Sequence, residues 1–193
     1  MKKTILLFSA LLIFGNLSAQ DKAALVNPII GTNGMGHTFP GACVPFGLVQ
    51  LSPDTDTIPH NVDGKYQPRA YEYCAGYQHK DSSIVGFSHT LFSGTGHSDL
   101  GDILIMPATG ELKLNPGTAT DPDGGYRSRF SHDTEVSRPG YYEVMLADYG
   151  VKAQLTATKR VGVHKYTFPK EAKNQRIILD MIHGIYNYDG KVL

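Results

Sequence analysis

Apolar and polar residues alternate most regularly along residues 151–158. Valine, alanine and leucine occupy every second position there, and lysine, glutamine and threonine stand between them. A period of two residues is typical of a strand with one buried and one exposed face. Residues 141–146 precede this strand across a turn at 148–150, and residues 161–168 follow it. The three runs predict an antiparallel meander.

Shorter apolar runs predict further strands. They cover residues 46–51, 103–106 and 177–179, and the first of them is expected to end at Ser52. Residues 53–70 are rich in Pro, Asp, Asn and Gly, which predicts a long loop. No sustained 3.6-residue apolar pattern follows the first twenty residues. Short strands with turns between them predict an all-β fold, an antiparallel β-sandwich.

Residues 1–20 have the pattern of a secretory signal peptide. Two lysines precede an apolar run at Ile5–Phe14, and small residues follow at Ser18 and Ala19. The apolar run is shorter than the roughly 20 residues that span a bilayer. The sequence therefore predicts an exported protein, periplasmic or extracellular, whose folded domain covers residues 21–193.

The charge balance and the cysteines limit the function further. Lys and Arg total 18 and so do Asp and Glu, so no net charge attracts nucleic acid or an acidic membrane. Cys43 and Cys74 are the only cysteines. In an exported chain they can form one disulfide or remain two separate thiols, and the sequence leaves both alternatives open.

The most unusual polar segment lies directly before the apolar run at 103–106. Residues 87–100 contain His89, His97 and Asp99 among several Ser, Thr and Gly residues. Imidazole and carboxylate groups are suitable hydrogen-bond partners for a polyhydroxy ligand. The alternative is that each histidine is an ordinary structural side chain.

Tyr71, Tyr73 and Tyr77 form the best aromatic cluster in the sequence. Aromatic rings stack on the apolar faces of sugars, and the phenol adds a hydrogen bond. Packing inside the sandwich is the alternative, because half-buried tyrosines are common in strands.

Other motifs point away from specific chemistry. The glycines of residues 31–36 are not spaced as in nucleotide-binding loops, and no helix is predicted after them. They predict a structural turn, and the alternative is a turn that presents His37 to a ligand. Ser88 lies in a segment resembling GxSxG, but without the helix that a nucleophile elbow needs. Histidines 37, 60, 79, 89 and 97 do not have zinc-site spacing. Asp99 and Asp102 are too close in sequence to face each other across a sugar as an acid and base pair.

Four segments together resemble one known family. They are VNPIIGT at 26–32, GHTFPGA at 36–42, VPFGLVQLSPDT at 44–55, and CAGY at 74–77 continuing through GFSHT, SGTG and GDIL to residue 104. Their order and spacing resemble the N-terminal domain of family 92 glycoside hydrolases, which are exo-acting α-mannosidases of exported bacterial systems. The resemblance is dense from Val26 to Pro107 and sparser afterwards.

This resemblance implies a β-sandwich that packs on a larger C-terminal (α/α) barrel, with the active site between them. The family mechanism is inverting and depends on calcium, and the acid, base and calcium ligands lie mostly on the C-terminal domain. Residues 186–193 begin what resembles a new strand and then stop, so the chain is expected to be truncated and to lack that catalytic domain. Residues 71–77 and 86–99 match loops that shape the sugar pocket.

The resemblance therefore predicts a pocket-forming domain that is inactive alone. Its partners are a mannose-containing glycan, from a glycoprotein or a polysaccharide, and the missing catalytic domain. Two departures concern the substrate: Tyr71 and Tyr73 stand where family members often have tryptophan, and His97 where others have different residues. The alternatives are a stand-alone carbohydrate-binding sandwich and a truncated product without function.

Overall fold

A computed structural model describes residues 22–185 except 95 and 98. The predicted signal peptide and the predicted C-terminal strand lie outside the described residues. The described strands are β1 (Ala42–Cys43), β2 (Gln50–Asp54), β3 (Asn61–Val62), β4 (Lys65–Tyr66), β5 (Ser83–Ile84), β6 (Gly86–Ser88), β7 (Leu104–Ala108), β8 (Ser128–Arg129), β9 (Val136–Arg138), β10 (Tyr141–Leu146), β11 (Val151–Ala157), β12 (Gly162–Thr167) and β13 (Arg176–Asp180). Short 3₁₀ helices cover Lys22–Leu25, Pro68–Tyr73, Pro122–Gly124 and His132–Thr134.

The strands form two main sheets, and every described strand pair is antiparallel. The larger sheet has the order β1-β2-β6-β7-β13, and the smaller one has the order β12-β11-β10-β9. The pairs β3–β4 and β5–β8 stand apart from both sheets. The larger sheet is thus assembled from distant parts of the chain, whereas the smaller one is a continuous meander.

The meander confirms the prediction from alternation. β11 pairs with β10 on one side and with β12 on the other. Its residues alternate between buried and more exposed positions, because successive side chains point to opposite faces of a sheet. The buried face therefore points to one side for the whole length of the strand.

The core lies between the two main sheets. The larger sheet contributes Leu51, Phe87, Leu104 and Met106, and the smaller one contributes Tyr142, Val144, Leu146, Val151, Ala153 and Leu155. Burying one leucine or phenylalanine stabilises the fold by about 1.5–3 kcal/mol. Two antiparallel sheets joined through one apolar core confirm the predicted β-sandwich.

Two strand boundaries were predicted wrongly, both because of proline. β2 runs to Asp54 through Pro53, and β7 runs through Pro107. In each case one neighbour of the strand has already ended: β1 pairs only as far as Leu51, and β6 meets β7 only at Ile105. Proline lacks an N–H group, so it is tolerated where one side of the strand has no ladder partner.

The start of the strand predicted at 46–51 was also wrong. Phe46 has a left-handed backbone with φ +56°, and the N–H of Gly47 donates to the carbonyl oxygen of Val44 at 3.0 Å. These residues form a turn, and β2 begins only at Gln50. The loop predicted for 53–70 is interrupted by the β3–β4 pair and by the start of the 3₁₀ helix Pro68–Tyr73.

The two cysteines are separate thiols, Cys43 exposed and Cys74 buried. The structure therefore favours the second of the two alternatives that the sequence left open. Within the described part of the chain, no helix has the length and apolar character needed to cross a bilayer.

Candidate functional site

A clamped loop between β6 and β7 carries the polar residues noted in the sequence. The N–H of His89 donates to the carbonyl oxygen of Asp102 at 3.1 Å, and the N–H of Gly101 donates to that of Thr90 at 2.7 Å. The Thr90 hydroxyl also donates to Asp102 Oδ2 at 2.9 Å and accepts from the Asp102 N–H at 3.1 Å. Both ends of the loop are thereby held at one place, beside the sandwich core.

His89 points inward from the base of this loop. Its Nδ1 lies 2.7 Å from the carbonyl oxygen of Ile103, and its Nε2 lies 3.0 Å from Nε2 of His164. His164 Nδ1 in turn lies 2.6 Å from the hydroxyl of Tyr166. Burial, and then the proximity of His89, lower the pKa of His164 to about 4. Both ring nitrogens of His89 therefore have partners inside the protein, and its role as a sugar contact stays a prediction.

Tyr73 and Tyr77 are buried, with exposed fractions of 2% and 1%. The Tyr73 hydroxyl donates to Asp81 Oδ1 at 3.2 Å. The Tyr77 hydroxyl lies 2.9 and 3.0 Å from the two carboxylate oxygens of Glu135. Burial, followed by the nearby carboxylates, raises the pKa of both phenols. In this arrangement the two rings pack in the fold, which was the alternative to a sugar contact.

Tyr71, His97 and Asp99 are the exposed residues among the predicted site residues, whereas His89 is half-buried. The edge of Tyr71 meets the ring of His37, with centroids 4.7 Å apart and planes at 88°. The Tyr71 hydroxyl covers Gly96, where a Cβ atom would stand 1.9 Å from the phenol oxygen. With the ring in this position, only glycine fits below it. The loop that carries His97 and Asp99 is therefore in direct contact with Tyr71.

Two further contacts fix this region, which we call the Tyr71 surface and define as His37, Tyr71, Phe92, Gly96, His97 and Asp99. The ring of Phe92 stands edge-on to that of His97, with centroids 6.5 Å apart. Asp99 Oδ1 accepts a hydrogen bond from the N–H of Leu100 at 2.8 Å. The surface presents imidazole, phenol and carboxylate groups beside aromatic rings.

His37, which ends the glycine-rich turn, also belongs to this surface. Its backbone is left-handed with φ +51°, and its carbonyl oxygen accepts from the N–H of Gly94 at 2.5 Å. Its Nε2 is buried and has no hydrogen-bond partner among the described residues. Buried polar atoms are nearly always bonded, so this nitrogen is a candidate for contact with a ligand or water.

An apolar groove of about 400 Å³ continues from the Tyr71 surface through Phe92. Phe39, Phe46 and Leu91 contribute to its wall. Phe46 is fully exposed and has a left-handed backbone. Both features are unusual for a bulky apolar residue. The polar surface and the apolar groove together form a face with both hydrogen-bonding and stacking groups.

The Tyr71 surface is better suited to binding than to catalysis. Asp99 is the one carboxylate among its residues, and Asp102 is engaged by Thr90 at the base of the loop. Hydrolysis of a glycosidic bond normally requires two carboxyl groups that face each other across the sugar. The geometry therefore supplies contacts for a ligand without an acid and base pair.

A group of side chains with metal-binding chemistry lies elsewhere in the described residues. His79, His132 and Glu135 place one ligand atom each within 4.8 Å of one another. Calcium takes six to eight oxygen ligands, so two imidazoles and one carboxylate do not fit it. The calcium ligands, which the family resemblance places mostly on the C-terminal domain, stay a prediction.

A buried acid and histidine pair was also missed from the sequence. His183 Nε2 lies 2.7 Å from Asp54 Oδ2, with side chains 4% and 0% exposed. The two residues are 129 positions apart, so no local motif could reveal their contact. The approach of His132, Glu135 and His79 was also missed. His132 and Glu135 are three residues apart, but His79 comes from another loop, and the sequence does not show that the two segments meet.

Comparison with known proteins finds relatives among the glycosidases. Residues 25–192 match the model of the glycosyl hydrolase family 92 N-terminal domain. An uncharacterized secreted glycosidase of Arthroderma benhamiae is 30% identical over 158 residues, which cover 77% of this chain and 18% of that protein.

Similar solved structures belong to the same family. A family GH92 alpha-mannosidase from Bacteroides thetaiotaomicron, in complex with mannoimidazole, has a TM-score of 0.77 and 48% identity, covering 85% of this chain and 20% of that one. An inverting mannosidase of the same family and organism has a TM-score of 0.60 and 29% identity, covering 80% and 19%. The chain spans about a fifth of the length of these relatives.

Proposed function

The chain belongs to glycosyl hydrolase family 92, whose N-terminal domain it matches over residues 25–192, and on that premise we propose that it forms one wall of the sugar pocket of an exported exo-α-mannosidase. The proposed substrate is a mannose-containing glycan from a glycoprotein or polysaccharide. The proposed reaction is inverting and calcium-dependent, with the acid, base and calcium ligands in a catalytic domain beyond this chain.

The observation that carries this proposal is the clamped loop of residues 89–102 beside Tyr71. The Thr90–Asp102 contacts hold both ends of the loop, and its exposed part presents His97 and Asp99 next to the phenol of Tyr71. Hydroxyl groups of a sugar need several directional partners held in fixed positions. A loop fixed at its base and covered by an aromatic ring supplies such positions.

In this proposal the chain orients the glycan and does not act on the bond itself. Tyr71 and Phe92 offer ring surfaces for the apolar face of a sugar, and His97 and Asp99 offer hydrogen bonds to its hydroxyl groups. Because inverting hydrolysis needs two carboxyl groups about 6.5–9.5 Å apart, the Tyr71 surface alone lacks the second one. We therefore expect no hydrolysis by the chain in isolation.

An assay with an aryl α-mannoside and calcium tests this expectation. The purified 193-residue chain should release no phenol above the background rate, with or without calcium. Calcium-dependent turnover by the chain alone would show that the catalytic groups lie within it, and this part of the proposal would be wrong.

Titration with mannobiose followed by NMR tests the sugar contact. We expect binding in the millimolar range, since half of a pocket loses contacts and preorganisation, with signals of Tyr71 and His97 shifting together. Tyr71→Ala and His97→Ala should abolish the shifts, whereas Thr156→Ala, on the exposed face of β11, should not. Absence of any shift at tens of millimolar sugar contradicts the proposal, and submillimolar binding would favour a stand-alone binding module.

Export is the part of the proposal supported by the N-terminal sequence and by the description of the fungal relative as secreted. Expression in a Gram-negative bacterium, followed by mass spectrometry of the mature chain, tests it. We expect the chain to begin near Asp21 in the periplasm or medium. An intact N-terminus in the cytoplasm would contradict it.

A further inference from the structure

We propose that His79, His132 and Glu135 form a binding site for a divalent transition-metal ion such as zinc. The three side chains come from two different loops and lie outside the Tyr71 surface. The inference does not depend on the proposed glycan function, since it concerns other residues and another kind of ligand.

The local fold brings His132 and Glu135 to the same side of the chain. His132 begins a 3₁₀ helix that Ser131 caps, and Glu135 follows its end, with the Glu135 N–H donating to the carbonyl oxygen of His132 at 3.1 Å. Side chains three residues apart eclipse each other in a 3₁₀ helix. Accordingly, His132 Nδ1 lies 2.7 Å from Glu135 Oε2.

The third ligand is supplied by the segment before β5. The N–H of His79 donates to the carbonyl oxygen of Thr32 at 2.8 Å, which fixes the backbone there. The two imidazole rings of His79 and His132 lie 4.0 Å apart between centroids and are tilted by 35°. One ligand atom from each of the three residues falls within 4.8 Å of the others.

Two phenols hold the carboxylate in position. The Tyr77 and Tyr142 hydroxyls donate to Glu135 Oε1 at 2.9 and 2.6 Å. A phenol hydroxyl is protonated at neutral pH and donates to a carboxylate. Groups that hydrogen-bond a metal ligand fix its orientation and increase affinity. The Glu135 side chain is only 4% exposed, which makes it a preorganised ligand.

The donor set determines the class of ion. Two imidazoles and one carboxylate suit zinc and neighbouring transition metals, at bond lengths of about 2.0–2.2 Å. Ligand atoms in a tetrahedral site with these bond lengths lie about 3.4 Å apart, so ion binding requires a small rearrangement, which the exposed His132 side chain is free to make. Three protein ligands leave one position for water or for another group.

Binding is tested with zinc and cobalt on the full chain without a polyhistidine tag. Calorimetry should show one zinc ion per chain, and the cobalt complex should have the visible absorption of a four-coordinate ion. Zinc at a hundredfold excess over its dissociation constant should raise the melting temperature, because it binds only the folded state. Calcium at the same concentration should not.

Variants separate a metal site from a mere hydrogen-bonded cluster. His132→Ala should abolish the cobalt absorption and the zinc-dependent melting shift, and His132→Cys should restore zinc binding, because a thiolate is also a zinc ligand. Tyr142→Phe should weaken zinc binding about 10-fold to 100-fold while keeping the stoichiometry. His60→Ala, beside Tyr66 in a different loop, is the matched control and should bind like the parent chain.

Two results would overturn the proposal. One is the absence of a zinc-dependent melting shift in the folded parent chain, and the other is a shift of unchanged size in His132→Ala. Neither result bears on glycan binding by the Tyr71 surface, so failure of this inference is distinguishable from failure of the proposed function.

Discussion

The imidazole of His183 donates from Nε2 to Oδ2 of Asp54 across 2.7 Å, and both side chains are almost fully buried. The contact joins the end of β2 to the last described turn. Asp180 holds that turn, since its Oδ1 accepts from the N–H groups of Ile182 and His183 at 2.8 and 2.9 Å. The pair therefore fastens the segment after β13 to the end of β2 in the larger sheet.

Removal of this imidazole should be strongly destabilising. His183→Ala leaves the buried Asp54 carboxylate without that donor, and breaking a buried pair in this way costs about 3–5 kcal/mol. His183→Gln keeps an amide donor and should cost less. Urea denaturation of the two variants measures the difference, and a loss below about 1 kcal/mol in His183→Ala would contradict the assignment.

Gly76 is required by the same carboxylate. It has φ +74°, and a Cβ atom there would stand 2.1 Å from Asp54 Oδ1. Gly64 is a matched control, because it has φ +73° with no atom within 4 Å of the added Cβ. Gly64→Ala should cost only the left-handed strain of about 1–2 kcal/mol. Gly76→Ala should cost clearly more in urea denaturation, and equal losses would mean that the Asp54 contact is unimportant.

Acid should destabilise the protein through His164. Its folded pKa of about 4 lies below the ordinary value of 6.5, so the unfolded chain binds a proton more readily than the folded one. The stabilisation is complete above pH 6.5 and decreases as the pH falls towards 4, by at most about 3 kcal/mol. Below pH 4 this residue adds no further loss.

The pH dependence of the stability of a His164 variant tests whether this residue causes the loss of stability in acid. Urea denaturation between pH 7 and 4 should show a smaller decrease for His164→Gln than for the parent chain. Thr167→Ala, at an exposed position of the same strand, should keep the parent profile. An identical decrease in His164→Gln would assign the acid sensitivity to other groups.

Gly96 should affect binding more than stability. A Cβ at this position would meet the hydroxyl end of the Tyr71 side chain at 1.9 Å, and that side chain is exposed enough to move. Gly96→Ala should therefore displace the ring and weaken mannobiose binding at least as much as Tyr71→Ala, with a change in unfolding free energy below about 1 kcal/mol. Unchanged binding in this variant would exclude Tyr71 as a contact.

Gly94→Ala is the control for this experiment. Gly94 also lies in the loop, and its added Cβ would have nothing within 4 Å. Alanine at this position is strained, because Gly94 has φ +71°. Mannobiose binding should therefore be compared only if thermal unfolding of both glycine variants remains cooperative.

The fold was predictable where burial follows a local period. The meander of β10, β11 and β12 was evident because a half-buried strand alternates its side chains. The ends of β2 and β7 could not be predicted, because a strand tolerates Pro53 or Pro107 only where a neighbouring strand has already ended. Register between distant strands is a tertiary property, which the local pattern does not contain.

The candidate site was predictable only in part for the same reason. The segments containing Tyr71, His97 and Asp99 were identified from composition and from family resemblance. The same reasoning grouped Tyr73 and Tyr77 with Tyr71, although the 3₁₀ helix and the turn after it direct their rings into the fold. The contact of His37 with Tyr71 and the Asp54–His183 pair join distant segments, and no spacing in the sequence indicates these contacts.

The order of strands in the two sheets has a consequence for the kinetics of folding. The sheet β12-β11-β10-β9 joins neighbours in the chain, whereas β7 pairs with β13 and β2 pairs with β6 across long intervening segments. Contacts between distant residues form slowly, because a long loop must close first. The meander is therefore expected to form early and serve as the template on which the larger sheet assembles, with β13 among the last strands to add.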